Sequence, residues 1–221
     1  MGWEQGSAGH DPLDGDERLV DYFGAAWPAV SCFADLLRTH GEEQGLLGPR
    51  EAVRLWERHV LNSAALVPFV AGARSIIDLG SGAGLPGVVV AAMLPLTEVT
   101  LLEPKMRRVR WLNEVAEELH LANVRVVRGR AEEMVGQIRA EVVVARAVGS
   151  LSQLYHWGVP LLERSGRLVA LKGERATSEV EEGDDVAAKL GLVRVEVCAA
   201  STIDGIESTT VVVARRAKNG D

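Results

Sequence analysis

With 221 residues, 47% of them hydrophobic, the chain can bury one substantial core, or one core with a small appended unit. It shows no charged-then-apolar leader and no uninterrupted apolar run of about 18 residues, so neither export nor a membrane span is expected, and the setting is read as cytoplasmic. The formal net charge of −7 argues weakly against a nucleic-acid partner, but the acids cluster near the N-terminus, at 114–118 and at 179–185. Many of the bases fall between positions 105 and 172, which leaves room for a local basic patch.

Residues 1–16 are rich in Gly and Asp with little apolar periodicity, and they read as a disordered tail. Leu19, Tyr22, Phe23 and Ala26 recur at helical spacing, a second helix begins near Pro28, and 41–48 reads as a loop. Pro49-Arg50-Glu51 opens a further helix with Val53, Trp56, Val60, Leu61 and Ala64 on one face, so 17–72 is expected to be a helical extension. From Ser75 onward, strand-length apolar runs at 75–79, 99–103, 124–128, 142–146 and 167–172 alternate with amphipathic segments. That alternation predicts a parallel sheet with helices on both faces. Runs at 192–198 and 209–214 flank Asp204-Gly205 and read as an antiparallel pair finishing the sheet. The main domain is therefore 73–216, followed by a tail at 217–221. Cys32 and Cys198 lie outside any C-x-x-C pattern and the five histidines show no ligand spacing, so neither a disulfide framework nor a metal is expected.

After the first strand, Asp78-Leu-Gly-Ser-Gly-Ala-Gly-Leu-Pro-Gly87 places four glycines ahead of a helix at 88–93. Such a loop lets the backbone approach a nucleotide or nucleoside at a helix N-terminus. Gly82-Ala-Gly84-Leu-Pro-Gly87 also satisfies the dinucleotide pattern G-x-G-x-x-G, with Glu103 lying 21 residues past Gly82. In a dinucleotide site, however, the first glycine follows the strand directly, whereas Asp78-Leu-Gly-Ser intervenes here. The Tyr-x-x-x-Lys pair of a short-chain dehydrogenase is missing too, since Tyr155 is followed four positions on by Val159. Asp78-x-Gly80-x-Gly82-x-Gly84 instead resembles the loop that makes room for S-adenosylmethionine in methyltransferases.

In open α/β sheets ligands bind beyond the carboxyl ends of the strands. Those ends carry Asp78, Glu103, Arg128-Gly-Arg130, Arg146 and Lys172. Glu103 can accept from both ribose hydroxyls, or it can cap the helix that begins near Lys105. Glu132 is placed to reach an adenine edge or to serve as an ordinary helix-start acid, and Asp78 to hold the glycine loop in shape. The cations suggest phosphate or another anion, with Arg146 expected on the cofactor side and Lys172 on the substrate side. Lys105, Arg107, Arg108 and Arg110 read as a solvated helix face. No Asn/Asp-Pro-Pro-aromatic sequence follows the fourth strand and no Pro-Cys nucleophile is present, so neither exocyclic-amine nor pyrimidine-carbon methylation is indicated. Guanine N7, which owns a nucleophilic lone pair, needs neither device; it needs positioning.

Taken together, Glu57-Arg-His-Val-Leu-Asn-Ser63, the glycine loop, Leu102-Glu-Pro-Lys-Met-Arg-Arg108, Arg128-Gly-Arg-Ala-Glu132, Ala145-Arg-Ala147 and Leu171-Lys-Gly173 resemble the RsmG (GidB) family. Those methyltransferases modify a guanine N7 in bacterial 16S ribosomal RNA. The resemblance implies a class I S-adenosylmethionine-dependent methyltransferase: a Rossmann-like, mostly parallel sheet with a C-terminal antiparallel strand and an N-terminal helical extension. It implies cofactor contacts at Gly80, Gly82, Leu85, Ala131, Glu132 and Arg146, with Glu103 at the ribose, and an RNA side lined by Arg130 and Lys172. The partner would be 16S rRNA in the small subunit or its assembly intermediate, with no obligate protein partner. Where the family often has an Arg-His pair before its last strand, this chain has Glu207-Ser-Thr-Thr210. The alternative function is methylation of a small acidic molecule or a protein.

Overall fold

The computed structural model describes residues 11–48 and 51–217. Strands β1 (Ser75–Leu79), β2 (Glu98–Glu103), β3 (Val124–Arg128), β4 (Ala140–Arg146), β5 (Leu162–Lys172), β6 (Leu192–Ala200) and β7 (Thr209–Arg216) form one sheet in the order β3-β2-β1-β4-β5-β7-β6. β7 runs antiparallel to both its neighbours, β5 and β6. The expected terminal pair is therefore present, with its second member threaded inside its first. β5 starts at Leu162 rather than 167 because 163–166 bulges between the pairs Ala140·Leu162 and Val142·Arg167.

Period-two alternation splits the core across the two faces of the sheet. Ile76, Val142 and Val144 pack with the N-terminal helices and with α5 (Gly87–Met93) and α6 (Met106–Glu118). Ile77, Val143 and Ala145 pack with α7 (Leu151–Gly158) and α8 (Ala176–Lys189).

The N-terminal extension is part of the first of these cores. Helix α1 (Glu17–Phe23) is capped by Asp16, and α2 (Trp27–His40) carries Pro28 in its first turn and buries Val30, Phe33, Ala34 and Leu37, one helical stripe. The tail expected to run to Asp16 is corrected from Asp11 onward. Asp11 is buried, accepting the Leu13 amide at 3.0 Å and the Trp56 amide at 2.9 Å. A buried acceptor with two backbone donors fixes its segment, which the polar composition concealed. Residues 1–10 and 218–221 of the expected tails, and Pro49 and Arg50, lie outside the described residues. The helix expected after Glu51 is built in pieces: a 3-10 turn at Ala52–Arg54, a π-helical turn at Trp56–Leu61, α3 (Asn62–Ala64) and α4 (Val67–Val70). Its regular ladder is interrupted where the His59 carbonyl takes the Asn62 amide, the Ser63 hydroxyl at 2.6 Å and the Arg146 side chain.

Candidate functional site

Strand order reverses between β1 and β4, and the crevice at their carboxyl ends is where an open α/β sheet binds ligands. The loop leaving β1 holds Gly80, Gly82 and Gly84 at φ of 72°, 58° and 102°, conformations that a side chain makes costly. Asp78 anchors this loop to the start of α5: its Oδ2 accepts the Gly87 amide at 3.0 Å, and a Cβ at Gly87 would sit 2.5 Å from the same oxygen. Its Oδ1 is buried with no partner among the described residues, and burial pushes the carboxyl up to about 7. From above, α2 presses on the loop, so that a Cβ at Gly84 would come within 3.1 Å of the Phe33 ring. The Trp111 indole of α6 donates to the Ala83 carbonyl at 2.9 Å.

Beside this loop lies a cleft of about 530 Å³ lined by Leu79, Gly80, Leu102, Pro104, Gly129, Arg130, Ala131, Glu132, Val148 and Trp157. Gly80, Ala131 and Glu132 are thus brought together as expected, and Arg130 joins them. Val148 and Trp157 were not found from the sequence; they arrive from the loop before α7 and from α7 itself. Glu103 is buried at the end of β2 and does not line the cleft. Its Oε2 accepts the Gly82 amide at 3.0 Å and its Oε1 the Lys105 amide at 2.9 Å, so it fastens the glycine loop and the start of α6 at once. Leu85 is buried in the core rather than in the cleft wall.

A second, polar cleft of about 650 Å³ opens on the other side of the switch point, lined by Arg58, Asn62, Arg146, Ala147, Leu171, Lys172, Gly173 and Glu179. It shares Arg58, Asn62, Lys172 and Gly173 with a groove that runs to Glu207 and Thr210. Arg146 lies here and not among the residues lining the Gly80 cleft. Its Nη1 donates to the carbonyls of Arg58 at 3.2 Å and His59 at 3.4 Å, and its Nη2 meets His59 Nδ1 at 2.5 Å. Burial, then the Arg146 charge, press the His59 imidazole down to about 4, so it is neutral. Lys172 is paired: its Nζ stands 2.7 Å from Glu179 Oε2 and donates to the Gly149 carbonyl at 3.1 Å. Arg130 and Lys172, expected to share an RNA-facing side, are not brought together. β2, β1 and β4 separate their strands, which places the strand ends on the order of 19 Å apart. His59 belongs to the Glu57–Ser63 motif, but nothing local announces that its ring meets a strand end 87 residues away.

Among the described residues no group of His, Cys, Asp and Glu is arranged to hold a metal ion, and no helix is long and apolar enough to cross a membrane. The family model described as rRNA small subunit methyltransferase G matches residues 27–205. The chain is 48% identical over 210 residues to the ribosomal RNA small subunit methyltransferase G of Mycobacterium marinum, covering 93% of this chain and 90% of that one. It is 40% identical over 215 residues to the protein of the same name from Bifidobacterium longum, covering 92% and 97%. Among solved structures it resembles a precorrin-6y C5,15-methyltransferase from Geobacter metallireducens, with a TM-score of 0.54, 13% identity, and coverage of 70% of this chain and 88% of that one. An S-adenosylmethionine-dependent O-methyltransferase from Thermotoga maritima gives a TM-score of 0.53 at 17% identity, with 72% and 66% covered. Identities this low carry the fold alone.

Proposed function

Because the chain belongs to the rRNA small subunit methyltransferase G family, we propose that it transfers a methyl group from S-adenosylmethionine to N7 of a guanine in the decoding-region loop of 16S rRNA. The proposed substrate is the small ribosomal subunit or its assembly intermediate, and the proposed setting is the cytoplasm. The observation that carries this reading is the pair of clefts flanking the β1/β4 switch point, one largely apolar and one lined by several charged side chains. The first fits a nucleoside: Leu79, Leu102, Pro104, Val148 and Trp157 offer apolar walls, and Ala131 and Glu132 a polar edge. Glu103 uses one acceptor position on each oxygen for a backbone amide and has Arg108 Nη1 at 3.9 Å from Oε2; its remaining lone pairs are the ones proposed for the ribose hydroxyls. When bound, the cofactor supplies an electrophilic methyl on a sulfonium. The chain's own part is to exclude water and to align the base.

On the polar side, Arg146 keeps its Nε–H and its second Nη2–H unengaged among the described residues, free for the cofactor's carboxylate. Lys172 keeps one N–H beyond those given to Glu179 and Gly149, enough for one phosphate contact. N7 attack calls for no general base, which agrees with a strand end that continues Arg146-Ala147-Val148-Gly149. The test is transfer of labelled methyl to small subunits lacking the modification, with the product nucleoside identified by mass. 7-Methylguanosine in 16S rRNA is expected; label on metabolites or proteins instead, or on another base atom, would overturn the reading.

A further inference from the structure

We infer that His59 is a positioning residue for methyl transfer, holding the Arg146 guanidinium at the carboxyl end of β4, in the wall of the polar cleft. A guanidinium has no acceptor, so in the 2.5 Å contact Arg146 donates and His59 Nδ1 offers its lone pair. The ring proton therefore sits on Nε2, which is buried without a hydrogen-bond partner among the described residues and lies 3.8 Å from Glu51 Oε1. The π-helical turn Trp56–Leu61 completes the hold. In a regular ladder the Arg58 and His59 carbonyls would be spent on amides four residues on, whereas here both also accept from Arg146 Nη1.

This arrangement costs the protein a buried, neutral imidazole. Burial and the Arg146 charge keep it unprotonated well below its usual range, with the charges of Glu51 and Arg58 also acting on the ring. Glu51 and then Asp78 of β1 are the acids that act on the guanidinium against its burial. Three acceptors from one helical turn fix the plane of the guanidinium, and hence the direction of its remaining N–H groups. The helical extension thereby reaches into the methyl-transfer site through one side chain that does not itself have to touch cofactor or RNA.

The inference rests on the proposed cofactor-side role of Arg146, so the experiment separates the two. Cofactor affinity by calorimetry, and kcat and KM on unmodified small subunits, are measured for His59→Leu, His59→Asn, Arg146→Ala and the double variant His59→Leu/Arg146→Ala. An asparagine oxygen can stand where Nδ1 stood. His59→Leu should lower kcat by about 10–100-fold with little change in KM for the particle, His59→Asn should restore most of it, and His59→Leu should add nothing to Arg146→Ala. Should His59→Leu not fold, His59→Gln takes its place: its amide oxygen reaches the Nε2 position, so it should fail where His59→Asn succeeds. Wild-type turnover in His59→Leu, equal loss in His59→Asn and its comparison variant, or additive losses in the double variant would each overturn the positioning role. Wild-type affinity and turnover in Arg146→Ala would overturn the parent reading instead.

Discussion

The two halves of the site are built in opposite ways. On the β1–β2–β3 side, the parts are consecutive in sequence: a glycine loop, a strand-end acid 21 residues on, and a short turn after β3, joined largely through backbone amides. On the β4–β5 side the two strand-end cations are already held by protein acceptors. Arg146 is held from the helical extension 87 and 88 residues away, and Lys172 by Glu179 of α8. A cleft made from backbone and apolar walls is shaped for its ligand before the ligand comes. A cleft whose cations are already paired receives an anion through the donors left over, or by sharing partners.

The largest effect that would break this contrast belongs to the glycine loop. Gly82→Val forces a β-branched residue to a φ of 58°, at a cost of about 1–3 kcal/mol of stability, and should abolish cofactor binding. Unchanged affinity in the folded variant would show that the loop is only a connector. Next in size, Glu103→Ala should weaken the cofactor at least tenfold, equivalent to about 1.5–3 kcal/mol for a charged acceptor. Lost activity with intact affinity would move Glu103 to the substrate half.

A third effect sharpens the boundary between the halves. Asp78 is raised from 3.8 to about 7, so the folded chain holds this proton more tightly and stability falls as pH rises through that window. His59 is lowered from 6.5 to about 4, so the unfolded chain takes up its proton first and stability falls as pH drops through that window. The two slopes oppose one another, each at most about 1.4 kcal/mol per pH unit. Denaturant titrations between about pH 5 and 6 should then show Asp78→Asn gaining stability with pH and His59→Asn losing it; parallel slopes in both variants would refute the opposition. The smallest effect is at Lys172. Lys172→Ala should spare cofactor affinity, lower particle methylation a few-fold, and reduce the salt slope of particle binding by about one unit. Wild-type values of both would leave Lys172 as a tie between β5 and α8.

The same contrast explains what the sequence disclosed. Strand-length apolar runs exposed all seven strands, and the glycine loop with Glu103 pointed to the neighbourhood of the Gly80 cleft, because both signals are carried by neighbours along the chain. The start of β5 was missed because a bulge, not a hydrophobic pattern, keeps 163–166 in place. Asp11 was read as tail because its value lies in the Trp56 amide it accepts, 45 residues away. Leu85 was expected in the site and is found in the core, since an apolar side chain in a binding loop looks the same in either role. Trp157 and the His59–Arg146 contact rest on three-dimensional proximity alone, and no spacing encodes them.

The placement of β7 between β5 and β6 has a consequence for the order in which the chain takes shape. A ribosome makes β6 before β7, yet β6 has no other partner in the sheet, and β5 has an open edge until β7 arrives. β6 therefore stays unpaired until the turn and the closing strand have followed it. Val193 and Val197, exposed on that strand even in the finished molecule, are then the residues most open to a wrong partner. The nascent sheet is thus completed by a keystone placed after the stone it supports.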